Sequence, residues 1–240
     1  MSANPLSPEQ QERYIRNIQL SELGLKGQKR LLESRVLIVG TGALGSISSM
    51  YLAASGVGHL TLVDFDIIGL SNLQRQLSFS TADCGRLKTE AARRRIAEIN
   101  PEVNVDLFTE KLTRKNATGL FAGHDLVIEG SDNPDTKYMV TDLCAEMDIP
   151  CVLGGVAQFK GQVTSWKPGF PTYRDIFPES APEGGYTPCS IGGVFGPLPG
   201  IVASAQACEA IKILTGTGTP LYGRLLVIDT LNPAATILDL

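Results

Sequence analysis

Apolar residues in this chain gather in short uninterrupted runs, which alternate with longer segments whose apolar positions recur every three or four residues. VLIVG at 36–40 is a continuous run of the kind that fills a strand covered on both faces. HLTLVD at 59–64, VNVDLFT at 103–109, DLVIEG at 125–130 and CVLGG at 151–155 read as further strands. The intervening ALGSISSMYLAASG, KTEAARRRIAEIN and PDTKYMVTDLCAEM carry helical spacing, the first closed by Gly56 and the last opened by Pro134. Strand and helix in alternation predict a parallel, doubly wound α/β sheet of Rossmann type. Before it, Ser7-Pro8-Glu9-Gln10 reads as an N-cap, a first-turn proline and a capping-box glutamine, opening a helix, and a second helix is expected over 27–33.

Beyond Gly155 the pattern changes. GQVTSW, RLLVIDT and TILDL predict strands of an antiparallel or mixed extension, and IVASAQACEAIKILTG a helix ending at Gly216. The Pro- and Gly-rich stretch 167–200 reads as a long functional loop. The whole is expected to be one domain, 1–240: N-terminal helices over 7–34, a nucleotide-binding core over 35–155 and a mixed-sheet extension over 156–240.

Composition narrows the classes. A net charge of -4 with no basic stripe argues against nucleic-acid binding, and the Arg93-Arg94-Arg95 run fits a solvated helix face. No apolar run approaches the length of a membrane span, and the polar N-terminus lacks a signal-peptide core. Five dispersed cysteines, none spaced C-x-x-C, suit a reducing cytoplasm. Cys144, Cys151 and Cys208 sit in apolar contexts and are expected to pack; His59 and His124, each beside a strand start, are expected at the surface or in packing.

The chemistry concentrates at strand ends. Gly40-Thr41-Gly42-Ala43-Leu44-Gly45 matches G-x-G-x-x-G after a strand and before a helix, which brings backbone close to a phosphate but leaves NAD, FAD and ATP open. Asp64, nineteen residues after Gly45, stands where an acid can hold ribose hydroxyls, and Asp66 could reach the same edge or a metal. The segment Ser71-Asn72-Leu73-Gln74-Arg75-Gln76 then sets amides and a guanidinium where phosphates would lie. Lys88, a cation at a helix start and so unfavourable to the helix dipole, joins Arg75 as a phosphate clamp. Ser131-Asp132-Asn133 follows a strand: Asp132 is suited to Mg²⁺, while Asp132 or Asn133 also fits as a helix cap. Cys189, in Thr187-Pro188-Cys189-Ser190, is the nucleophile candidate because it lies in a loop. These features favour reaction at phosphorus over hydride transfer.

Taken together, RYIRN at 13–17, VLIVGTGALG, LVDFDIIGLSNLQRQ, GRLKTEAA, EGSDN at 129–133, GQV at 161–163, PCSIGGVFGPLPGIVAS and QACEAIKILTG resemble the MoeB/ThiF/HesA family, bacterial relatives of ubiquitin-activating enzymes, over essentially the whole chain. The resemblance implies ATP- and Mg²⁺-dependent adenylation of the C-terminal glycine of a small ubiquitin-fold sulfur carrier (MoaD-like or ThiS-like, ending in Gly-Gly), with release of pyrophosphate. It implies that Gly40, Gly42 and Ala43 line the nucleotide and that Asp64 holds its ribose. Ser71, Asn72, Arg75 and Lys88 would bind phosphates, and Asp132 would position the metal. In a homodimer Arg16 would reach into the partner subunit's site, and Cys189 matches a loop cysteine that links covalently to the carrier in some members.

Two departures matter. Many members bind zinc through paired C-x-x-C motifs; here Thr172-Tyr173-Arg174-Asp175 stands in the first place and no second pair follows, so zinc is not expected. The 240 residues also contain no rhodanese domain, so a separate sulfurtransferase is expected. An NAD-dependent oxidoreductase leaves the SNLQRQ and SDN segments without a purpose; tight NAD binding without ATP hydrolysis would favour it. A non-catalytic carrier-binding scaffold would not need Arg16, Arg75, Lys88 and Asp132 together.

Overall fold

The computed structural model describes residues 6–178 and 192–240. Helix α1 (Pro8–Ile18) begins with the expected capping box: the Ser7 hydroxyl accepts from the Gln10 amide at 3.1 Å and Gln10 Oε1 accepts from the Ser7 amide at 3.1 Å. Helix α2 (Gly24–Glu33) starts three residues earlier than its pattern suggests. Then come β1 (Arg35–Val39), α3 (Gly45–Ala54), β2 (His59–Val63), α4 (Lys88–Ile99) and β3 (Asn104–Phe108). They are followed by α5 (Arg114–Phe121), β4 (Leu126–Glu129), α6 (Pro134–Glu146), β5 (Cys151–Ala157) and β6 (Lys160–Trp166). A short α7 (Tyr173–Ile176), a long α8 (Pro197–Thr215), β7 (Arg224–Asp229) and β8 (Ala234–Asp239) complete the order.

The strands form one sheet in the order β3-β2-β1-β4-β5-β6-β7-β8. The first five are parallel and the last three antiparallel, as the change of pattern after Gly155 predicts. Alternate side chains of β1 divide the interior: Val36 and Ile38 join the core under α2, α3, α4 and α8, whereas Leu37 and Val39 join the core under α5 and α6. Covering both faces is what makes the central strands β1 and β4 read as apolar runs, whereas β3, at the sheet edge, alternates polar and apolar residues.

Register sets up the site. Phe108, Val63, Val39, Glu129 and Leu153 lie in one row, which closes β3, β2, β1 and β4 and crosses β5 at its third residue. The residues after that row, Asp64, Gly40 and Gly130, therefore emerge side by side. The strand order runs outward in both directions from β1 and β4, so a crevice opens between them at the carboxyl edge. Helix α1 lies at the opposite edge. The buried Tyr14 accepts a hydrogen bond from Asn100, at the end of α4, and Arg13 donates to the Ile99 carbonyl, both just before β3 begins.

Candidate active site

The cradle is built by close backbone approach. Gly40 has φ +84°, and a Cβ there would lie 2.9 Å from the Ser131 amide nitrogen; a Cβ on Gly45 would lie 1.8 Å from the Gly40 carbonyl oxygen. Asp64 stands against this turn, with Oδ2 accepting from the Thr41 amide at 2.8 Å and Oδ1 from the Asp66 amide at 2.9 Å. Burial pushes the Asp64 carboxyl above the ordinary carboxylate range, against the opposing pull of Lys88 and those two donors. Thr41 Oγ1 and Gln76 Oε1, both buried beside the turn, have no hydrogen-bond partner among the described residues.

The SNLQRQ segment forms a short 3₁₀ turn, Leu70–Asn72, directly ahead of Arg75. Asn72 spends its side-chain oxygen on the Gly69 amide at 3.0 Å, and the Ser71 carbonyl accepts from Arg75 Nη1 at 3.0 Å. Ser71 and Asn72 thus build the turn that delivers Arg75, and neither lines the cleft. Lys88 is the first residue of α4, buried, with Nζ 2.7 Å from Asp66 Oδ2. Asp66 therefore lies at the cleft as the partner of Lys88.

Asp132 is exposed at the cleft, just beyond the end of β4. Asn133 is the N-cap of α6, its side-chain oxygen accepting from the Thr136 amide at 3.1 Å, so of the two cap candidates the structure selects Asn133. Beneath the loop lies a charged pair that the sequence reading did not single out: Glu129, fully buried at the end of β4, is bonded to the buried ammonium of Lys137 on α6. Its only sequence signal was an acid closing an otherwise apolar central strand.

The cleft measures about 1230 Å³, and Gly40, Gly42, Ala43, Asp64, Asp66, Arg75, Lys88, Asp132 and Asn133 all border it. Arg16 does not; it is exposed on α1 at the opposite edge of the sheet, 3.2 Å from Gln19 Oε1. Cys189 lies outside the described residues. Cys144 and Cys151 are buried as expected, and their contact with each other, together with burial, raises the Cys144 thiol. Cys208 corrects the reading: it is exposed, because α8 turns Ala207 and Glu209 inward at that point. His124 bonds to Thr61 at 2.8 Å and is lowered by burial, while His59 pairs with Asp106 at 2.9 Å, both far from the cleft at the strand starts. Among the described residues no group of three or more His, Cys, Asp or Glu is placed to hold a metal, and no helix is long and apolar enough to cross a membrane. At 172–175, where the family resemblance would put a C-x-x-C pair, Asp175 accepts from Thr172 and Arg174 grips Asp142 through two 2.8 Å bonds.

A glycine turn, an acid after β2 and two cations at the carboxyl edge of such a sheet give the layout of a nucleotide site in an α/β fold. The sequence profile of the ThiF family matches residues 14–239, and the chain belongs to that family. It is similar to the probable adenylyltransferase/sulfurtransferase MoeZ of Mycobacterium tuberculosis, at 44% identity over 235 residues, covering 96% of this chain and 60% of that protein. It is also similar to the sulfur carrier protein adenylyltransferase of Thermus thermophilus, at 40% identity over 230 residues, covering 93% and 85% of the two chains. The chain thus spans about 60% of the length of MoeZ. Among solved structures, E. coli MccB with ATP shares the fold at a TM-score of 0.82 and 24% identity, over 95% of this chain and 70% of that one.

Proposed function

We propose that the protein uses ATP to adenylate the C-terminal glycine carboxylate of a small ubiquitin-fold sulfur carrier ending in Gly-Gly, in the service of sulfur transfer for cofactor biosynthesis. The observation that carries this reading is the convergence of Asp64, Arg75, Lys88 and Asp132 on one cleft beside the glycine turn. At about 1230 Å³ that cleft exceeds the roughly 300–1,000 Å³ of an ordinary small-molecule site, which suits a nucleotide together with an extended peptide tail.

In this reading Asp64 accepts the ribose hydroxyls and the turn from Gly40 to Ala43 lies along the nucleotide. A carrier carboxylate oxygen attacks the α-phosphorus, the bond from that phosphorus to the bridging oxygen breaks, and pyrophosphate leaves with the electron pair. The nucleophile is already ionised, so no general base is required. The obstacle is charge repulsion, which Arg75 and Lys88 oppose as fixed cations in a partly enclosed site. Lys88 is held by Asp66, so its ammonium is oriented before nucleotide arrives.

Asp132 fits Mg²⁺: it is one hard oxygen donor at the cleft, and this ion takes one or two carboxylates and completes its shell with phosphate oxygens and water. Bound there, the ion would supply neutralisation of phosphate charge. Thr41 Oγ1 and Gln76 Oε1, without partners among the described residues, mark polar capacity that a ligand or its water can complete.

Arg16 stands at the wrong edge of the sheet to serve its own cleft, which supports a homodimer in which it serves the partner's. Leu70 and Leu77, 72% and 73% exposed on either side of Arg75, supply apolar surface for such an interface. A separate sulfurtransferase would complete the transfer, and a cytoplasmic site suits the free thiols. ATP–pyrophosphate exchange with candidate carriers ending in Gly-Gly is the test. Exchange absent with every carrier, or undiminished in Asp132→Ala, overturns the proposal. Cys189→Ala is expected to keep exchange and to lose any covalent carrier adduct.

A further inference from the structure

The geometry points to Glu129 and Lys137 as a positioning pair that fixes Asp132 relative to the glycine turn, an inference that rests on the adenylation reading for what Asp132 is positioned to do. Glu129 is 0% exposed and Lys137 7%. Taking both charges out of water costs several kcal/mol per ion, and a well-packed apolar pair of similar volume is commonly as stable or more so. Stability alone is therefore a poor reason to keep this pair.

What the pair does is visible in its bonds. One Glu129 carboxylate oxygen meets Lys137 Nζ; the other accepts from the Ser131 amide at 2.9 Å and from the Ser131 hydroxyl. Lys137 Nζ also donates to the Gly154 carbonyl at 2.7 Å, and Gln206 of α8 holds the Glu129 carbonyl at 2.8 Å. The first residues beyond β4 are thereby tied back to the strand's last side chain. A closed circuit results, running from Glu129 through Ser131, Asp132 and the Asn133 cap into α6, and returning through Lys137. Asp132 is its exposed apex.

The same circuit abuts the nucleotide cradle. The Ser131 amide nitrogen that Glu129 holds is the atom 2.9 Å from the Cβ position of Gly40. The spacing between the turn and Asp132 is thus set by a tether whose acid, Glu129, lies behind the cleft, while Ser131 and Lys137 reach its wall. Lys137 reaches Glu129 and Gly154 together, so β4, β5 and α6 all bear on that spacing.

Three variants test this: Lys137→Met, Lys137→Arg and the volume-matched Glu129→Met/Lys137→Met, which removes both buried charges and so is expected to fold. In the protein without ligands, amide hydrogen exchange at 130–132 should rise about tenfold or more in the two methionine variants, with 126–128 unchanged and Lys137→Arg close to wild type. By titration calorimetry with ATP, the methionine variants should keep wild-type affinity without MgCl₂ and lose the gain that MgCl₂ gives the wild type. A double variant that folds with wild-type exchange at 130–132, or that keeps the full MgCl₂-dependent gain, overturns the inference. So does a double variant that fails to fold, because the pair would then be a stability element. A wild-type protein without ATP affinity would count against the adenylation reading alone, and the exchange comparison would still decide the tether.

Discussion

The first two glycines of the turn make a paired test, because they are required for different reasons. Gly40 has φ +84°, and an added Cβ would meet the Ser131 amide nitrogen and the Gly130 carbonyl group at 2.9–3.0 Å, all backbone atoms that cannot swing away. A left-handed conformation costs an alanine about 1–2 kcal/mol, and overpacking adds about 1–3 kcal/mol. Gly40→Ala should therefore lose about 2–5 kcal/mol, which in a chain of this length lowers Tm by about 4–20 °C. Gly42 lacks the left-handed angle, and a Cβ there would meet only the Gln76 amide nitrogen, at 3.5 Å, an ordinary contact. Gly42→Ala should keep wild-type stability to within about 1 kcal/mol. Its methyl group would nevertheless stand on the cleft wall where the nucleotide backbone is expected, so ATP affinity should fall by about tenfold or more. Thermal unfolding and calorimetric titration with ATP read the two effects separately. A Gly42→Ala protein as unstable as Gly40→Ala, or one that binds ATP as the wild type does, would refute the argument.

Lys88→Met keeps the buried stem and removes the ammonium. Its partner Asp66 is half-exposed, so Tm should move by only a few degrees while ATP–pyrophosphate exchange falls by about 10²-fold or more; a large loss of Tm would assign Lys88 to the fold. If Arg16 acts across a dimer, Arg16→Ala and Asp132→Ala proteins are each inactive, but a random equimolar mixture should regain about a quarter of wild-type exchange, since half the dimers then carry one intact site of two. No recovery after demonstrated subunit exchange would remove Arg16 from the partner site. Asp83 gives a pH prediction: its carboxyl, held by the Ser80 amide and hydroxyl and by Arg94, falls from the ordinary 3.8 to about 2. Between those values the folded protein binds fewer protons than the unfolded one, so this contribution is present above pH 3.8 and is lost as pH falls towards about 2. Asp83→Asn should flatten that part of the acid-unfolding profile, and an unchanged profile there would dismiss the assignment.

The elements the sequence announced are those whose signal is local. VLIVG and DLVIEG are unbroken apolar runs because both faces of their strands are covered, and Ser7-Pro8-Glu9-Gln10 carries its cap in four residues. Helix α5 escaped notice because it buries only Ala117 and Phe121, with a glycine between them; its Thr113 cap, bonded to Asn116, was the available sign. The start of α8 was hidden among prolines and glycines read as loop. Pro197 and Pro199 sit in the first turn, where backbone N–H groups have no partner within the helix and proline costs little. Within α8 the usual sorting is inverted: Glu209 is buried, accepting from Ser165 at 2.9 Å and the Leu221 amide at 2.7 Å, while Cys208 faces out. Side-chain type alone points the other way, and only the arrival of β6 and the segment before β7 explains it.

The site divides along the same line. Asp64, Lys88 and Asp132 were legible because each follows a strand or opens a helix, and parallel strands in register must bring their carboxyl ends to one edge, whereas Arg75 was legible only from the SNLQRQ segment that carries it. What was not legible is the division of labour among neighbours. Asn72, Asn133 and Asp66 have the chemistry of ligand-binding groups, yet Asn72 and Asn133 cap turns and Asp66 orients Lys88. Conversely, Lys137, which nothing in its spacing marks, proves to be buried beneath the loop that presents Asp132, at the wall of the cleft. The distinction follows from geometry that spacing does not encode. A side chain one turn into α6 points back along the helix towards its amino end, and here that direction leads under the cleft to Glu129. Residues that touch substrate can be read from the edge they occupy, whereas residues that hold them in place are found only from the packing of three separate elements.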